Sequence, residues 1–156
     1  MSLREEDRLR LSVHGILHDL DAGLRDELIA RFHVSDVGTG VHLLEEGQAN
    51  TRLFIVLTGA VSVKLPKQPQ RISEVRLATL EAGETFGEYS LFDAQPVSAA
   101  VYAAEPTRFA WIEKSDLDAF LAKHPEASRP FYEGVIRILV ARLRAKNAEL
   151  DFVTIG

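Results

Sequence analysis

One stretch of the chain, residues 86–101, combines residue types that could bind an anion: FGEYSLFDAQPVSAAV. A short helix beginning at Glu88 would direct unpaired backbone N–H groups and the positive end of its dipole toward a negative charge. Gly87 would permit close approach of a ligand to the backbone, and the Glu88 carboxylate could accept a hydrogen bond from a ligand hydroxyl. Ser98 could add a hydroxyl or a backbone donor. The segment therefore predicts a small-ligand site, although it contains no Lys or Arg.

The residues that usually support catalysis or metal binding do not form a recognisable site. Of the five histidines, only His14 and His18 stand four apart on a predicted helix, and no third ligand accompanies them. Ser90 lacks a G-x-S-x-G context, and GETFGE is not followed by the lysine and hydroxyl residue of a phosphate-binding loop. The H-x-H cluster that a cupin would carry on its strands is missing. We therefore predict no enzyme activity, no catalytic residue, no metal site and no permanently bound cofactor.

The order of apolar patterns indicates a mainly β fold with flanking helices. Helical spacing predicts a helix over 3–20, and Asp21 is a plausible N-cap for a second one. After Phe32, short runs rich in Val, Ile, Thr and Phe alternate with glycine turns. Seven strands are predicted, at 32–37, 41–45, 52–58, 60–65, 71–80, 98–104 and 107–113. Their close spacing leaves no room for crossover helices, so we expect an antiparallel, jelly-roll-like double-stranded β-roll.

Two helices are predicted after the strands. Ser115 has the position of a capping residue for a helix that ends near residue 124. The last and longest helix covers residues 127–151, and its apolar stripe needs a partner surface. Asn147, one turn beyond Leu143, would either fix the register of two paired helices or face water near a frayed end. We predict a homodimer built on a parallel helix pair, with the interface residues Val135, Ile136, Leu139, Val140, Leu143 and Asn147.

Length and composition are those of one globular domain. The chain has 156 residues, of which 46% are hydrophobic and 26% charged, and its net charge of −5 disfavours binding to nucleic acid. It has no cysteine, no apolar segment long enough to cross a membrane, and a charged N-terminus, which together favour a soluble cytoplasmic protein. We predict a single domain over 1–156. Its parts are the N-terminal helices (1–31), a β-roll (32–113) that contains the segment 86–101, and the hinge and dimerisation helices (115–151).

Two glycine-containing segments carry a resemblance to a known family. HLLEEGQANTRLFIVLTGAVSVK and LATLEAGETFGEYSLF resemble the first hairpin region and the approach to the phosphate-binding cassette of cyclic nucleotide-binding domains. These domains occur in the catabolite activator family, in protein kinase A regulatory subunits and in gated ion channels. PVSAAV occupies the place of the family's P-R-[AST]-A-[ST]-V, and the resemblance covers residues 15 to about 150. It implies that residues 86–101, here called the cassette, bind a ligand through Phe86, Gly87, Glu88, Tyr89, Ser90, Val97, Ser98, Ala99 and, from the terminal helix, Asn147.

The chain departs from the family at the position that should hold the phosphate. Val97 stands where the resemblance places an arginine, and Ala100 replaces a hydroxyl residue. Loss of the charged hydrogen bonds and the unpaired phosphate would lower affinity for a cyclic nucleotide by roughly 10- to 1000-fold or more. Tyr89 either covers the core with its hydroxyl at the surface or fills the vacated space. The side chains that could supply a substitute cation are Arg52, Arg71, Arg76, Arg108 and Arg142.

Two functional hypotheses follow from these residues. The chain is either a sensory module whose pocket binds cyclic AMP or cyclic GMP weakly or takes another small ligand, or a ligand-free structural dimerisation or protein-interaction module in signal transduction. The winged-helix DNA-binding domain that the resemblance implies for catabolite activators does not follow residue 151, so we expect no DNA binding and an output through another protein. The sequence does not identify the ligand, the partner or the pathway.

Overall fold

The structure is a computed structural model that describes residues 1–155, with the side chains of residues 1–151. Its helices are α1 (Glu5–Ser12), α2 (Ala22–Ile29), α3 (Glu88–Asp93), α4 (Lys114–Lys123) and α5 (Ser128–Ile155), and a single 3₁₀ turn, Pro125–Ala127, joins the last two. Its strands are β1 (His33–Val37), β2 (His42–Leu44), β3 (Arg52–Thr58), β4 (Ala60–Leu65), β5 (Val75–Glu81), β6 (Thr85–Phe86), β7 (Ala100–Ala103) and β8 (Thr107–Glu113).

The strands form two four-stranded sheets that face each other. One sheet has the order β1-β8-β3-β6, and the other has the order β2-β7-β4-β5. Every pairing between these strands is antiparallel. The predicted antiparallel β-roll with N-terminal helices and a long C-terminal helix is therefore confirmed.

Strand β3 explains how the roll and the helices share one sheet. Leu53, Ile55 and Leu57 point to the core formed with the helices, whereas Phe54 and Val56 point to the core between the two sheets. Successive side chains of a strand project to opposite faces, so an apolar run such as LFIVL is required where both faces are covered. The cassette lies beside this strand, because β6 pairs with it through Phe54 and Phe86.

Several element boundaries differ from those predicted. The helix predicted over 3–20 ends at Ser12, and turns follow up to α2. Asp21 does occupy the N-cap position of α2, but its side chain makes no capping hydrogen bond. Helix α4 begins at Lys114 with Glu113 as its N-cap, so Ser115 lies in the first turn rather than at the cap. The strand predicted over 71–80 begins only at Val75 because a hairpin tip precedes it, and the two-residue strand β6 was not predicted.

Helix α5 has two apolar faces rather than the single predicted stripe. Its inner face packs on the body of the domain, where Val135 is buried and Leu139 and Ile138 rest against the helical core. Gly134 permits this contact, because a Cβ there would lie 2.7 Å from the carbonyl oxygen of Gly15. Val135 therefore offers almost no exposed surface to a second copy, whereas Leu139 is only partly buried and its place in a dimer interface stays a prediction. The outer face is exposed and carries Ile136, Val140, Leu143, Asn147 and Leu150.

A buried ion pair fastens the N-terminal helix to the roll. Asp7 of α1 is 0% exposed and accepts two hydrogen bonds from Arg108 of β8, at 2.9 and 2.7 Å. Arg108 also donates to the half-exposed carboxylate of Asp36 at 2.9 Å. Because Arg108 is itself buried, the two carboxylates satisfy a charge that could not remain unpaired there.

Candidate functional site

The cassette begins with a sharp turn that only glycine fits well. Gly87, between β6 and α3, has a φ of 83°, and a Cβ on it would lie 2.7 Å from the carbonyl oxygen of Arg52. The Asn50 amide holds this turn by donating hydrogen bonds to the carbonyl oxygens of Arg52, at 2.8 Å, and Gly87, at 3.1 Å. Helix α3 therefore starts at Glu88 with its first turn fixed against β3.

Val97 is a core residue in this structure. It is 8% exposed and belongs to the cluster between the two sheets, together with Phe54, Phe86 and Val101. Its backbone is paired with the turn after β2, since its N–H donates to the Gln48 carbonyl at 2.9 Å and its carbonyl accepts from the Gly47 N–H at 2.8 Å. The side chain has no hydrogen-bond donor, so this position offers an anion apolar surface alone.

One of the five candidate arginines reaches the cassette. Arg142, on the inner face of α5, pairs with the Glu88 carboxylate and donates to the carbonyl oxygen of Thr85, and its distance to the Thr85 hydroxyl is 3.2 Å. One turn further on, Lys146 donates to the carbonyl oxygen of Leu77 on β5 at 2.9 Å. Arg142 thus links helix α5 to the start of the cassette, and Lys146 links it to β5.

The other four arginines are paired elsewhere. Each has a carboxylate or hydroxyl partner outside the cassette: Arg52 with Glu113, Arg71 with Glu46, Arg76 with Thr79, and Arg108 with Asp7 and Asp36. Of the five candidate arginines, Arg142 is therefore the one whose side-chain contacts within the described part of the chain lie in or next to the cassette.

Glu88 is the buried charge at the centre of the site. It is 4% exposed, and burial raises the pKa of its carboxyl above the usual range, while the Arg142 guanidinium opposes that rise. Its Oε1 contacts Arg142, but its Oε2 is buried without a hydrogen-bond partner among the described residues. A buried acceptor without a partner is costly, so Oε2 is the atom at which a ligand hydroxyl could bind.

The remaining predicted ligand residues lie at different depths. Tyr89 is 55% exposed, so its ring lies at the surface and does not fill the space beside Val97. Ser90 and Ala99 are buried, whereas Ser98 is exposed at the edge of the cassette. Asn147 is exposed on the outer face of α5, one position after Lys146. The structure thus brings Phe86 and Val97 into one apolar cluster, with Gly87 and Glu88 directly after Phe86.

Two contacts of the site could not be read from the segment itself. Thr85 precedes the predicted cassette, and it meets Arg142 only because α5 folds back over β6. One cavity, of about 300 Å³, lies around Arg108 and away from the cassette, and a second, of about 260 Å³, lies beside the start of the cassette and is lined by Gln48, Asn50, Arg52 and Phe54 among others. No group of three His, Asp or Glu side chains within residues 1–151 is placed to hold a metal ion, and no helix in the described part of the chain has the length and apolarity to span a bilayer.

Comparison with known proteins agrees with this geometry. The family model "Cyclic nucleotide-binding domain" matches residues 36–124, from the first strand to the end of α4. The chain belongs to the cyclic nucleotide-binding domain family. A solved cyclic nucleotide-binding domain from Methylobacillus flagellatus superposes with a TM-score of 0.83 and 26% identity, over 97% of this chain and 84% of that one.

Two curated relatives carry such a domain within longer proteins. Glutaminase 1 of Bradyrhizobium diazoefficiens is 32% identical over 98% of this chain, which spans 24% of that protein. The CRP-like cAMP-activated global transcriptional regulator of Mycobacterium tuberculosis is 26% identical over 87% of this chain, which spans 58% of that protein. The chain therefore corresponds to about a quarter of one relative and somewhat over half of the other.

Proposed function

We propose that this chain is a non-enzymatic sensory module of the cytoplasm whose phosphate site is degenerate. Cyclic AMP and cyclic GMP bind it weakly, or an uncharged, hydroxyl-bearing small ligand takes their place. The observation that carries this proposal is the burial of Val97 in the apolar core, at the position where the family resemblance places the phosphate-binding arginine. The absence of cysteine from the chain favours a reducing compartment.

The electrostatics of the site support the same conclusion. Arg142 is the arginine that reaches the cassette, and it is already engaged by Glu88 and by the Thr85 carbonyl. A cyclic phosphate would therefore bring a negative charge next to the Glu88 carboxylate, whose pairing already occupies Arg142. Rotating Arg142 toward the phosphate would leave Glu88 buried and unpaired, which costs about 1.5–3 kcal/mol because Arg142 itself is only partly buried.

The sharpest test is to restore the cation. Val97→Arg adds a guanidinium inside the cassette, and Gln95→Arg adds the same charge two residues away on the exposed surface. In calorimetric titrations with cyclic AMP and cyclic GMP, Val97→Arg should bind about 10- to 100-fold more tightly than the native protein, because a charged hydrogen bond contributes about 1.5–3 kcal/mol.

The control variant separates local pairing from general charge. Gln95→Arg should leave the affinity within about 2-fold of native, since exposed charges are screened. Equal gains in affinity in the two variants would contradict the proposal. It would also be contradicted if Val97→Arg, with cooperative thermal unfolding, bound no more tightly than the native protein.

We also propose that the outer face of α5 forms a parallel helix pair with a second copy. The residues Ile136, Val140, Leu143, Asn147 and Leu150 alternate at spacings of four and three, which places Val and Asn at heptad position a and Ile and Leu at position d. Valine at a with leucine at d favours two parallel strands.

A second candidate function rests on the curated relatives. The match to glutaminase 1 extends over 98% of this chain and so includes α5, and glutaminase 2 of the same organism matches 96% of it. This favours a structural or protein-interaction module whose output is an enzyme rather than DNA. Co-expression with a tagged glutaminase domain tests it, and stable co-purification with altered glutaminase activity would favour this function over that of a ligand sensor.

A further inference from the structure

A buried histidine joins the N-terminal segment to the turn before the cassette. His14, in the turns after α1, is 6% exposed. Its Nε2 lies 2.8 Å from the carbonyl oxygen of Gly83, and its Nδ1 accepts a hydrogen bond from the backbone N–H of Ile16 at 3.2 Å. Gly83 belongs to the turn between β5 and β6, two residues before Thr85. One imidazole therefore bridges two segments that are 69 positions apart.

The partners of the ring fix its protonation state. The Gly83 carbonyl can only accept and the Ile16 N–H can only donate, so the bridge requires a neutral imidazole with its proton on Nε2. A second proton on Nδ1 would place a donor against the Ile16 N–H and break that hydrogen bond. The bridge is thus compatible with a neutral ring alone.

The charged groups around the ring also oppose protonation. His18 faces it from its own segment and Arg142 faces it from α5, and both are cations or potential cations. On the β5–β6 turn, Glu84 directs its carboxylate to the backbone N–H of Glu81 at 2.7 Å. Burial lowers the pKa of His14 below its ordinary value of 6.5, and the positive charges of His18 and Arg142 lower it further. The hydrogen bond to Gly83 acts in the opposite direction but does not outweigh them.

We propose that His14 is a proton-sensitive clamp, which holds the N-terminal segment against the turn before the cassette and releases it when the imidazole is protonated. Release would also affect the closure by α5, because a charged His14 repels the Arg142 that contacts Thr85 and Glu88. This device does not depend on what binds in the cassette. The chemical signal it responds to is the proton itself.

Hydrogen exchange across the pH range tests the clamp. The pKa of His14 is lowered in the closed state, so at pH values between that pKa and 6.5 only the open state binds a proton. The closed state therefore loses stability as the pH falls through this window. With rates corrected for intrinsic exchange, the protection of residues 14–17 and 83–88 should fall about tenfold per pH unit below pH 6.5. His14→Gln should abolish this dependence, and His18→Gln, at an exposed histidine four positions later, should retain it.

Two results would overturn the clamp. One is a native protein whose protection in these segments does not change between pH 5 and 6.5 relative to the rest of the roll. The other is His14→Gln with the native pH dependence. Should His14→Gln fail to fold, the imidazole titration of His14 in the native protein decides by NMR: a midpoint below the ordinary value of 6.5 supports the clamp, and an equal or higher midpoint excludes it.

Discussion

Arg142 of helix α5 pairs with Glu88 of the cassette, 54 positions earlier in the chain. The pair crosses from the last helix to the first turn of α3, and it uses the one described cation near a site that lacks the arginine expected at Val97. Arg142 thus binds the domain's own carboxylate and the Thr85 carbonyl, whereas the side chain at position 97 supplies no cation.

Removing this pair should destabilise the domain. In Arg142→Gln the Glu88 carboxylate remains buried without its cation, so the free energy of unfolding at pH 7 should fall by about 1.5–3 kcal/mol. Urea denaturation measures this difference. Arg144→Gln is the matched control, because Arg144 is exposed two residues later on the same helix and its loss should cost less than about 0.5 kcal/mol. Equal losses in the two variants would show that the pair contributes nothing.

The ion pair between α1 and β8 should be among the strongest single contributions to stability. Asp7→Asn leaves Arg108 buried with one remaining carboxylate and should cost about 3–5 kcal/mol. Asp36→Asn removes the half-exposed partner of the same arginine and should cost no more than about 1 kcal/mol. Thermal and urea unfolding of both variants measure the difference, and a larger loss in Asp36→Asn would contradict this assignment.

Acid titration provides an independent check on the same pair. The hydrogen bond from Arg108 lowers the pKa of Asp7 below its ordinary value of 3.8. Because the pKa of Asp7 is lower in the folded than in the unfolded protein, its ionised carboxylate stabilises the fold above pH 3.8. This stabilisation is lost as the pH falls through the pKa of Asp7 in the folded protein. Native protein should therefore lose stability below pH 4 more steeply than Asp7→Asn does.

The turn at the start of the cassette should tolerate no side chain. Gly87→Ala combines a positive φ with a Cβ 2.7 Å from the Arg52 carbonyl. The positive φ alone costs an alanine about 1–2 kcal/mol, so the free energy of unfolding should fall by more than that. Gly83→Ala is the control, since its φ is 91° but no atom lies within 4 Å of the added Cβ. Chemical denaturation should rank Gly87→Ala as clearly more destabilising; the reverse order would mean that the turn relaxes.

The outer face of α5 should control the oligomeric state. Leu143→Glu places a charge at the centre of the proposed helix pair, and sedimentation at equal concentration should show monomers where the native protein forms dimers. Ile72→Glu changes an equally apolar residue, 88% exposed at the tip of the β4–β5 hairpin, and should remain dimeric. A native protein that sediments as a monomer would exclude the pair.

Much of the fold could be predicted because its signals are local. Glycine turns and short β-branched runs placed most of the strands, and the motif around Phe86 and Glu88 located the cassette. Strand β6 was missed because two residues are too few to show a period of two. The first helix was extended too far because apolar residues in the turns 13–20 also pack on the core and continue the helical spacing by coincidence.

The site was predicted less completely, since its decisive contact is not local. The sequence identified five arginines that could approach the cassette, but only the docking of α5 on its inner face selects Arg142. The same docking separates Val135 and Leu139 from the exposed residues of the helix, although all belong to one broad apolar pattern. The bridging contacts of His14 were not predicted, because its partners Gly83 and Ile16 offer backbone atoms that no sequence pattern reveals.

Calorimetric titration of the native protein with cyclic AMP tests the central claim most directly. With Val97 in the core and Arg142 bound to Glu88, the account predicts a Kd weaker than about 10 μM, because a site without its charged hydrogen bonds loses at least about 10-fold from micromolar affinity. A Kd at or below about 1 μM, with the native cassette and no added arginine, would contradict it.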